Sequence, residues 1–173
     1  ATRHLLQCGC RRLLHISGSR NVPIVADQRG AAFEEVCREA GVDGTVYHTE
    51  EAQFLSMDYT AFIEKFIADN VVGRPADERA DGVFASSDVI AAQVLQACAR
   101  FGVRVPEELR VVGFDDVEIA ALTIPTITTI RQPVEDMCRY TISHILRRLD
   151  GETVPTRTVL PVQLIARGST AAV

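Results

Sequence analysis

Two adjacent carboxylates, Asp115 and Asp116, directly follow the apolar segment 110–114. That segment has the composition of a buried parallel strand. In open α/β sheets, polar ligands bind outside the carboxyl ends of such strands. We therefore expect Asp115 to accept hydrogen bonds from hydroxyl or amino groups of a ligand, and Asp116 to cap the following turn. The alternative for both is capping and solvation within a loop, the commoner fate of Asp-Asp pairs.

Arg29 is the second residue with a chemical role to explain, because it stands in the first turn of a predicted helix. The positive end of the helix dipole disfavours a cation there by about 0.3–1 kcal/mol, so a compensating anion or ligand is expected. A planar guanidinium can donate two parallel hydrogen bonds to vicinal hydroxyls or to a carboxylate, which suits recognition of a sugar or a purine. The alternative is a surface ion pair with Asp27 or Glu35.

No arrangement typical of an enzyme or a metal site is found in the sequence. It lacks the Gly-X-Ser-X-Gly, Walker A, Gly-X-Gly-X-X-Gly and His-Glu-X-X-His motifs. The five cysteines are odd in number, Cys8 and Cys10 lack the usual metal-ligand spacing, and the four histidines are scattered. We therefore predict a non-enzymatic protein with reduced thiols, no metal and no cofactor.

Charge and hydropathy argue against two further classes of protein, those that bind DNA through this part of the chain and those that enter a membrane. The chain has 18 basic and 23 acidic residues, a formal charge of -5, so a surface for DNA phosphates is not expected within it. No apolar run reaches the length of a membrane span, and the first residues do not resemble a secretion signal. These features predict a cytoplasmic protein with no membrane partner.

The hydrophobic periodicity predicts an alternation of strands and helices. Strands are expected at 13–17, 45–48, 82–85 and 110–114, and helices at 27–40, 58–69 and 88–101, after a short helix that ends at Gly9. Right-handed crossovers turn this βαβαβαβ order into an α/β fold with a doubly wound parallel sheet. A further helix, Val134–Leu149, has a broad apolar stripe that needs a partner.

Ordered sequence landmarks lie along nearly the whole chain, and they are Arg-His-Leu-Leu-Gln-Cys-Gly-Cys-Arg-Arg at 3–12, Arg-Gly-Ala-Ala-Phe at 29–33, Ala-Ser-Ser-Asp at 85–88, Gly-Val-Arg-Val-Pro at 102–106, Val-Val-Gly-Phe-Asp-Asp at 111–116, Thr-Thr-Ile-Arg-Gln-Pro at 128–133 and Arg-Gly-Ser-Thr at 167–170. In these landmarks the sequence resembles the lactose-repressor (LacI/GalR) family of bacterial transcription regulators. The resemblance implies a lobe of the type I periplasmic-binding-protein fold. On this basis 1–131 and 161–171 form the C-terminal effector-binding and dimerisation lobe, and 132–160 is a remnant of the N-terminal lobe. The helix-turn-helix headpiece and most of the N-terminal lobe are expected to be missing from this chain.

The resemblance also implies the effector contacts. Arg29 and Asp115 match effector-binding positions, and Gln132 matches a polar position at the lobe crossover. Ser87 stands where many relatives have asparagine, although capping of the next helix explains it equally well. Phe54 corresponds loosely to an aromatic residue that stacks on sugars, although packing in the core is the stronger alternative.

A dimer surface is the last implication of the resemblance. The matching residues lie on one helix and in one loop, and they are Val89, Ile90, Gln93, Val94, Leu122 and Ile124. Apolar residues in a loop with a proline suit burial between subunits, and the alternative is that they cover the sheet of their own subunit.

The function that the resemblance implies is the effector-binding and dimerisation region of a LacI-type regulator, with a sugar-like or purine-like effector, a homodimer, and DNA contacts only through the absent headpiece. A periplasmic sugar-binding protein with the same fold is the alternative. An α/β enzyme acting on a sugar-like metabolite is a third possibility, disfavoured because no second carboxylate or nucleophile accompanies Asp115.

Overall fold

The main sheet contains four parallel strands. The computed structural model describes residues 1–19 and 26–171. Strand β1 is Arg12–Ser17, β2 is Asp43–His48, β3 is Gly82–Ala85 and β4 is Arg110–Val112, and they lie in the order β2-β1-β3-β4. Leu14 of β1 is opposite Thr45 of β2 and Val83 of β3, so β1 and β3 are central. The predicted α/β fold with a parallel sheet is confirmed.

Seven α-helices accompany the strands in the described part of the chain. They are α1 (Thr2–Gln7), α2 (Ala26–Ala40), α3 (Glu51–Ser56), α4 (Thr60–Ile67), α5 (Asp88–Phe101), α6 (Ile119–Leu122) and α7 (Val134–Leu149). The chain leaves β1 towards one side of the sheet and later returns to place β3 and β4 on the other side, which is the doubly wound connectivity.

Hydrophobic cores lie on both faces of the sheet. On one face, Leu14, Ile16 and Val111 pack among the buried residues of α4 and α5. On the other face, Leu13 and Val112 pack with residues of α1 and α2. Successive side chains of a strand point to opposite faces, so a strand covered on both sides must be apolar throughout. Burial of each large aliphatic side chain contributes about 1.5–3 kcal/mol to folding.

Local differences from the sequence-based expectations have identifiable causes. The helix predicted at 58–69 begins at Thr60 and continues beyond Ile67 as a π-helical turn, Ala68–Val72. The short helix α3 was not predicted; its capping box joins Glu50 and Gln53, and its end is marked by Met57 in the left-handed conformation. The bounds predicted for β3, α5 and α7 are confirmed.

A second, smaller sheet and α7 follow the main sheet. Strand β5 (Thr129–Arg131) pairs in antiparallel fashion with β6 (Gln163–Ile165). One isolated parallel bridge connects Val112 of β4 with Thr128, directly before β5, and another connects Asp115 in the loop after β4 with Arg131 of β5. No residue of α7 is buried, and its apolar residues Ile142, Ile145 and Leu149 are more than half exposed. The apolar stripe predicted from the sequence is therefore uncovered in the isolated chain.

Within residues 1–19 and 26–171, no helix combines the length and the apolar character that crossing a bilayer requires. The same residues contain no group of three or more His, Cys, Asp or Glu side chains suited to hold a metal ion.

Candidate functional site

The candidate site lies where the carboxyl ends of β1 and β3 meet. These neighbouring strands are followed by connections that run in opposite directions, the place where α/β sheets form a ligand crevice. Arg29, in the first turn of α2, reaches this edge and donates a hydrogen bond from Nη1 to the Ser86 carbonyl oxygen at 2.8 Å. Its guanidinium carbon lies 3.6 Å from the centre of the Phe114 ring, a cation–π contact. The helix therefore directs Arg29 towards the sheet.

The environment of Arg29 fits a ligand contact better than a surface ion pair. Burial lowers the pKa of the guanidinium, and the nearby Asp115 carboxylate opposes that effect. The Nε atom is buried, and none of the described residues forms a hydrogen bond with it. No ion pair joins Arg29 to Glu35 among the described residues. The Asp27 side chain, named as the other alternative partner, lies outside the described residues.

Asp115 and Gln132 come together at the same edge. The Gln132 side-chain amide donates to Asp115 Oδ1 at 2.6 Å, and the Asp115 amide donates to the Ile130 carbonyl oxygen at 2.9 Å. Asp115 has a φ of 110° and Asp116 a φ of 59°, values that non-glycine residues seldom adopt and that cost of order 1–3 kcal/mol each. Surrounding contacts must therefore hold this loop in place.

Asp88 is one of those contacts, and the sequence indicated it only as a helix start. Its side chain is buried, Oδ2 accepts from the Val117 amide at 2.9 Å, and Oδ1 accepts from the Thr129 hydroxyl at 2.5 Å. Burial raises the pKa of Asp88 by more than these hydrogen bonds lower it, so the net shift of the pKa is upward. The carboxylate thus ties the loop 113–117 to α5 and β5.

Gly113 is the signal in the sequence that points to this role of Asp88. A Cβ atom at Gly113 would lie 2.2 Å from Asp88 Oδ1, far inside contact distance. Its φ is not in the left-handed region, so space and not backbone conformation requires a glycine here. The Gly-Phe-Asp-Asp segment and Asp88 form one packed unit.

The expected role of Asp116 as a turn cap is wrong. Its side chain is 6% exposed, Oδ1 accepts from Arg167 Nη2 at 2.7 Å, and Oδ2 accepts from Arg131 Nε at 2.5 Å. Burial raises the pKa of this carboxyl, but the hydrogen bonds from the two arginines outweigh burial and the pKa is lowered. Two cations from distant parts of the chain attract the carboxylate more strongly than the adjacent turn does.

The two remaining candidate contacts have different outcomes. Ser87 caps α5, because its Oγ accepts from the Ile90 amide at 3.3 Å, which is the alternative that its sequence context allowed. Its hydroxyl hydrogen is not used by that bond. The side chain of Phe54 lies outside the described residues, so its predicted stacking role stays a prediction.

The predicted dimer surface needs a correction. Ile90 and Val94 are 3% and 0% exposed and belong to the core between α5 and the sheet, so they cannot contact a second subunit. Gln93 uses its amide within the chain, accepting from the Tyr59 amide and donating to the Met57 carbonyl oxygen. Val89, on the same helix, is half-buried.

The loop half of that surface is exposed, with Leu122 at 71% and Ile124 at 97%. These two residues are the most exposed part of the predicted surface, whereas Val89 and Gln93 are only partly accessible.

His15 is a buried residue of the site region that sequence reasoning missed. Its Nδ1 bonds to the Phe84 carbonyl oxygen at 2.8 Å, and its ring stacks on Phe84 with centroids 4.5 Å apart. Burial lowers its pKa to about 4, an effect that the backbone hydrogen bond opposes, and Arg29 adds to the lowering. His15 is therefore neutral at physiological pH and packs beneath α2.

The fold places the candidate crevice at the carboxyl ends of a parallel sheet, the location of ligand sites in open α/β domains. The chain belongs to the periplasmic binding protein-like domain family, whose model matches residues 2–170. It is 32% identical over 175 residues to the ribose operon repressor of Halalkalibacterium halodurans, covering 98% of this chain and 48% of that protein. The chain thus spans about half the length of the curated relatives it matches.

Solved structures agree with this assignment. A periplasmic binding protein/LacI transcriptional regulator of Alkaliphilus metalliredigens complexed with D-xylulofuranose is 27% identical, with a TM-score of 0.80 over 99% of this chain and 61% of that chain. The lac repressor dimer bound to operator and the anti-inducer ONPF has a TM-score of 0.84 at 21% identity, over 98% of this chain and 48% of that one, and supports the fold alone. The predicted resemblance to the lactose-repressor family is confirmed, and the relatives named here are regulators rather than enzymes.

Proposed function

We propose that this chain is the effector-binding and dimerisation region of a LacI-type transcription regulator. The observation that carries the proposal is the convergence of Arg29, Asp115 and Gln132 at the carboxyl edge of the sheet. The protein acts in the cytoplasm as a homodimer, and a helix-turn-helix headpiece outside this chain contacts the DNA. A periplasmic sugar-binding protein is the weaker alternative, because the relative with the highest identity quoted above is an operon repressor.

The effector in this proposal is a small polyhydroxylated molecule, with a pentose as the first candidate. Arg29 supplies hydrogen-bond donors and Asp115 supplies acceptors, the combination that adjacent sugar hydroxyls require because each can both donate and accept. The similarity to a ribose operon repressor and to a regulator bound to D-xylulofuranose supports a pentose. A purine is the second candidate, since an arginine and a carboxylate can also bind its ring edges.

The proposed lobes are 1–131 with 161–171, and 132–160. The exposed apolar face of α7 supports this division, because a helix with such a face is normally covered by another part of a protein. The proposed dimer contact is restricted to the loop around Leu122 and Ile124, with Val89 beside it. One wall of the effector cleft belongs to the second lobe, so the isolated chain is expected to bind effector weakly.

The test is a calorimetric titration of the 173-residue chain with D-ribose, D-xylulose and adenosine at millimolar concentration. Arg29→Lys keeps the charge but loses the planar pair of donors, and Asp115→Asn removes the carboxylate. Arg38→Ala is the matched control, because Arg38 lies on the exposed face at the end of the same helix. We expect a compound that binds the parent and the Arg38→Ala variant and binds each site variant at least about tenfold more weakly, a loss of about 1.4 kcal/mol. Equal affinity in all four proteins would refute the site assignment.

A further inference from the structure

The Asp116 carboxylate connects three segments that are far apart in sequence. It follows Asp115 directly, and it binds Arg131, which precedes Gln132, and Arg167 near the end of the described chain. Gln132 in turn donates to Asp115. Movement of the ligand loop and movement of β5 are therefore linked through one nearly buried carboxylate.

Arg167 extends this connection to a different surface. Its Nη1 donates to the Ile127 carbonyl oxygen at 2.9 Å, and its backbone amide donates to the Thr128 hydroxyl at 2.8 Å. The Ile127 amide donates to the Ala120 carbonyl oxygen at 2.7 Å, which closes the segment that carries Leu122 and Ile124. A continuous path of charge-assisted and backbone hydrogen bonds thus runs from Asp116, the neighbour of Asp115, to the segment that carries the exposed apolar loop.

We propose that Asp116 is a positioning residue that couples the conformation of the ligand loop to that of the exposed segment 119–127. The inference rests on the proposed function, in which Asp115 contacts effector and the exposed segment contacts a second subunit. In this proposal Asp116 itself contacts neither the effector nor the second subunit. It transmits changes because its two oxygens hold two separate arginines, so a rotation of the loop displaces Arg131 and Arg167 together.

The left-handed backbone at Asp115 and Asp116 favours such a rotation on energetic grounds. Both residues occupy conformations that contacts must enforce, so a ligand that pulls on Asp115 acts on a loop without a deep local energy minimum. Asp88, at the start of α5, holds the other side of the loop through the Val117 amide and also accepts a hydrogen bond from the Asp116 amide.

The experiment compares amide ¹H–¹⁵N spectra of four chains, which are the parent, Asp115→Asn, Asp116→Asn and the double variant. Asp115→Asn removes the charge that faces Arg29 and Gln132 without adding volume. We expect it to shift the amides of Ala120 and Ile127 in the parent background and to leave them unshifted in the Asp116→Asn background. Asp136→Asn, which breaks the exposed pair with Arg139, provides a control background. In that background Asp115→Asn should shift the amides of Ala120 and Ile127 as it does in the parent.

The outcomes decide the proposal without any ligand. A response at Ala120 and Ile127 of equal size in both backgrounds, or none in the parent, would overturn the coupling. A merely structural role for Asp116 would lower stability but keep the response. If Asp116→Asn does not fold, Arg167→Lys replaces it, because lysine has one nitrogen in place of the two that bond separately to Ile127 and Asp116. If none of the compounds binds in calorimetry, the proposed function is weakened. The spectral result does not depend on a ligand and still decides whether Asp116 couples the two segments.

Discussion

Replacement of Gly113 by alanine tests the packed unit beneath the ligand loop. The added Cβ would lie 2.2 Å from Asp88 Oδ1, 3.2 Å from Ile127 Cγ2 and 3.3 Å from Ala91 Cβ. The Asp88 carboxylate would have to move by roughly 1 Å, since unstrained contacts between heavy atoms are about 3.5 Å. Such a movement breaks at least one of its hydrogen bonds, to the Val117 amide or to the Thr129 hydroxyl.

The expected loss in the free energy of unfolding combines two effects. Overpacking of a core costs about 1–3 kcal/mol, and a buried polar group left without its partner costs about 1–3 kcal/mol. We therefore expect Gly113→Ala to destabilise the chain by roughly 3 kcal/mol. With a slope of about 2 kcal/mol per molar urea, the unfolding midpoint falls by about 1.5 M.

The assay is urea unfolding followed by far-ultraviolet circular dichroism, with Gly30→Ala as the matched control. Gly30 lies inside α2, where an added Cβ would meet ordinary contacts at 3.6 and 3.8 Å. Alanine is the better helix former by roughly 0.5–1 kcal/mol, so this control should raise the midpoint. A Gly113→Ala midpoint equal to or above that of the parent would show that the loop relaxes freely and that Asp88 does not fix it.

Three further predictions concern the interface and the dependence on pH. Val94→Ala should lower the free energy of unfolding in urea by roughly 2 kcal/mol, because it opens a cavity in the core. Ile124→Ala should leave the free energy of unfolding unchanged and weaken self-association in sedimentation. A Val94→Ala variant that keeps its stability but loses self-association would restore Val94 to the interface. The pKa of Asp116 is lowered on folding, so its contribution to stability is complete above the unfolded pKa of about 3.9 and is lost as the pH falls through the lower folded pKa. Asp116→Asn should therefore make the stability of the chain less sensitive to acid. An unchanged dependence of stability on acid pH would contradict the pairing of Asp116 with the two arginines. The pKa of His15 falls to about 4, so the unfolded chain binds more protons between pH 4 and about 6.5 and stability rises with pH across that window. An NMR titration of the His15 ring with a midpoint near 6.5 would exclude its burial in the neutral form.

The sequence alone determined the elements whose signals are local. The bounds of β3, α5 and α7 were predictable because continuous apolar runs, helical periodicity and caps lie within a few residues of each other. Gly102, for example, directly follows Phe101 and ends α5 with a left-handed φ of 70°, a conformation that glycine adopts without strain. The location of Asp115 after β4 and of Arg29 in the first turn of α2 follows from two further elements, whose predicted bounds differ from the observed ones by at most two residues, which is why both residues could be named in advance.

Only the tertiary structure decided which partners these residues meet. Asp116 was expected to cap the adjacent turn, but it binds Arg131 and Arg167, which are 15 and 51 residues away. The two arginines supply stronger electrostatic attraction than the neighbouring turn. Val94 turned from a surface residue into a core residue because the direction of α5 depends on how α4 packs beside it, and α5 is apolar on more than one side. Periodicity measures the width of an apolar face, but only the packing of one element against another determines which part of that face is buried.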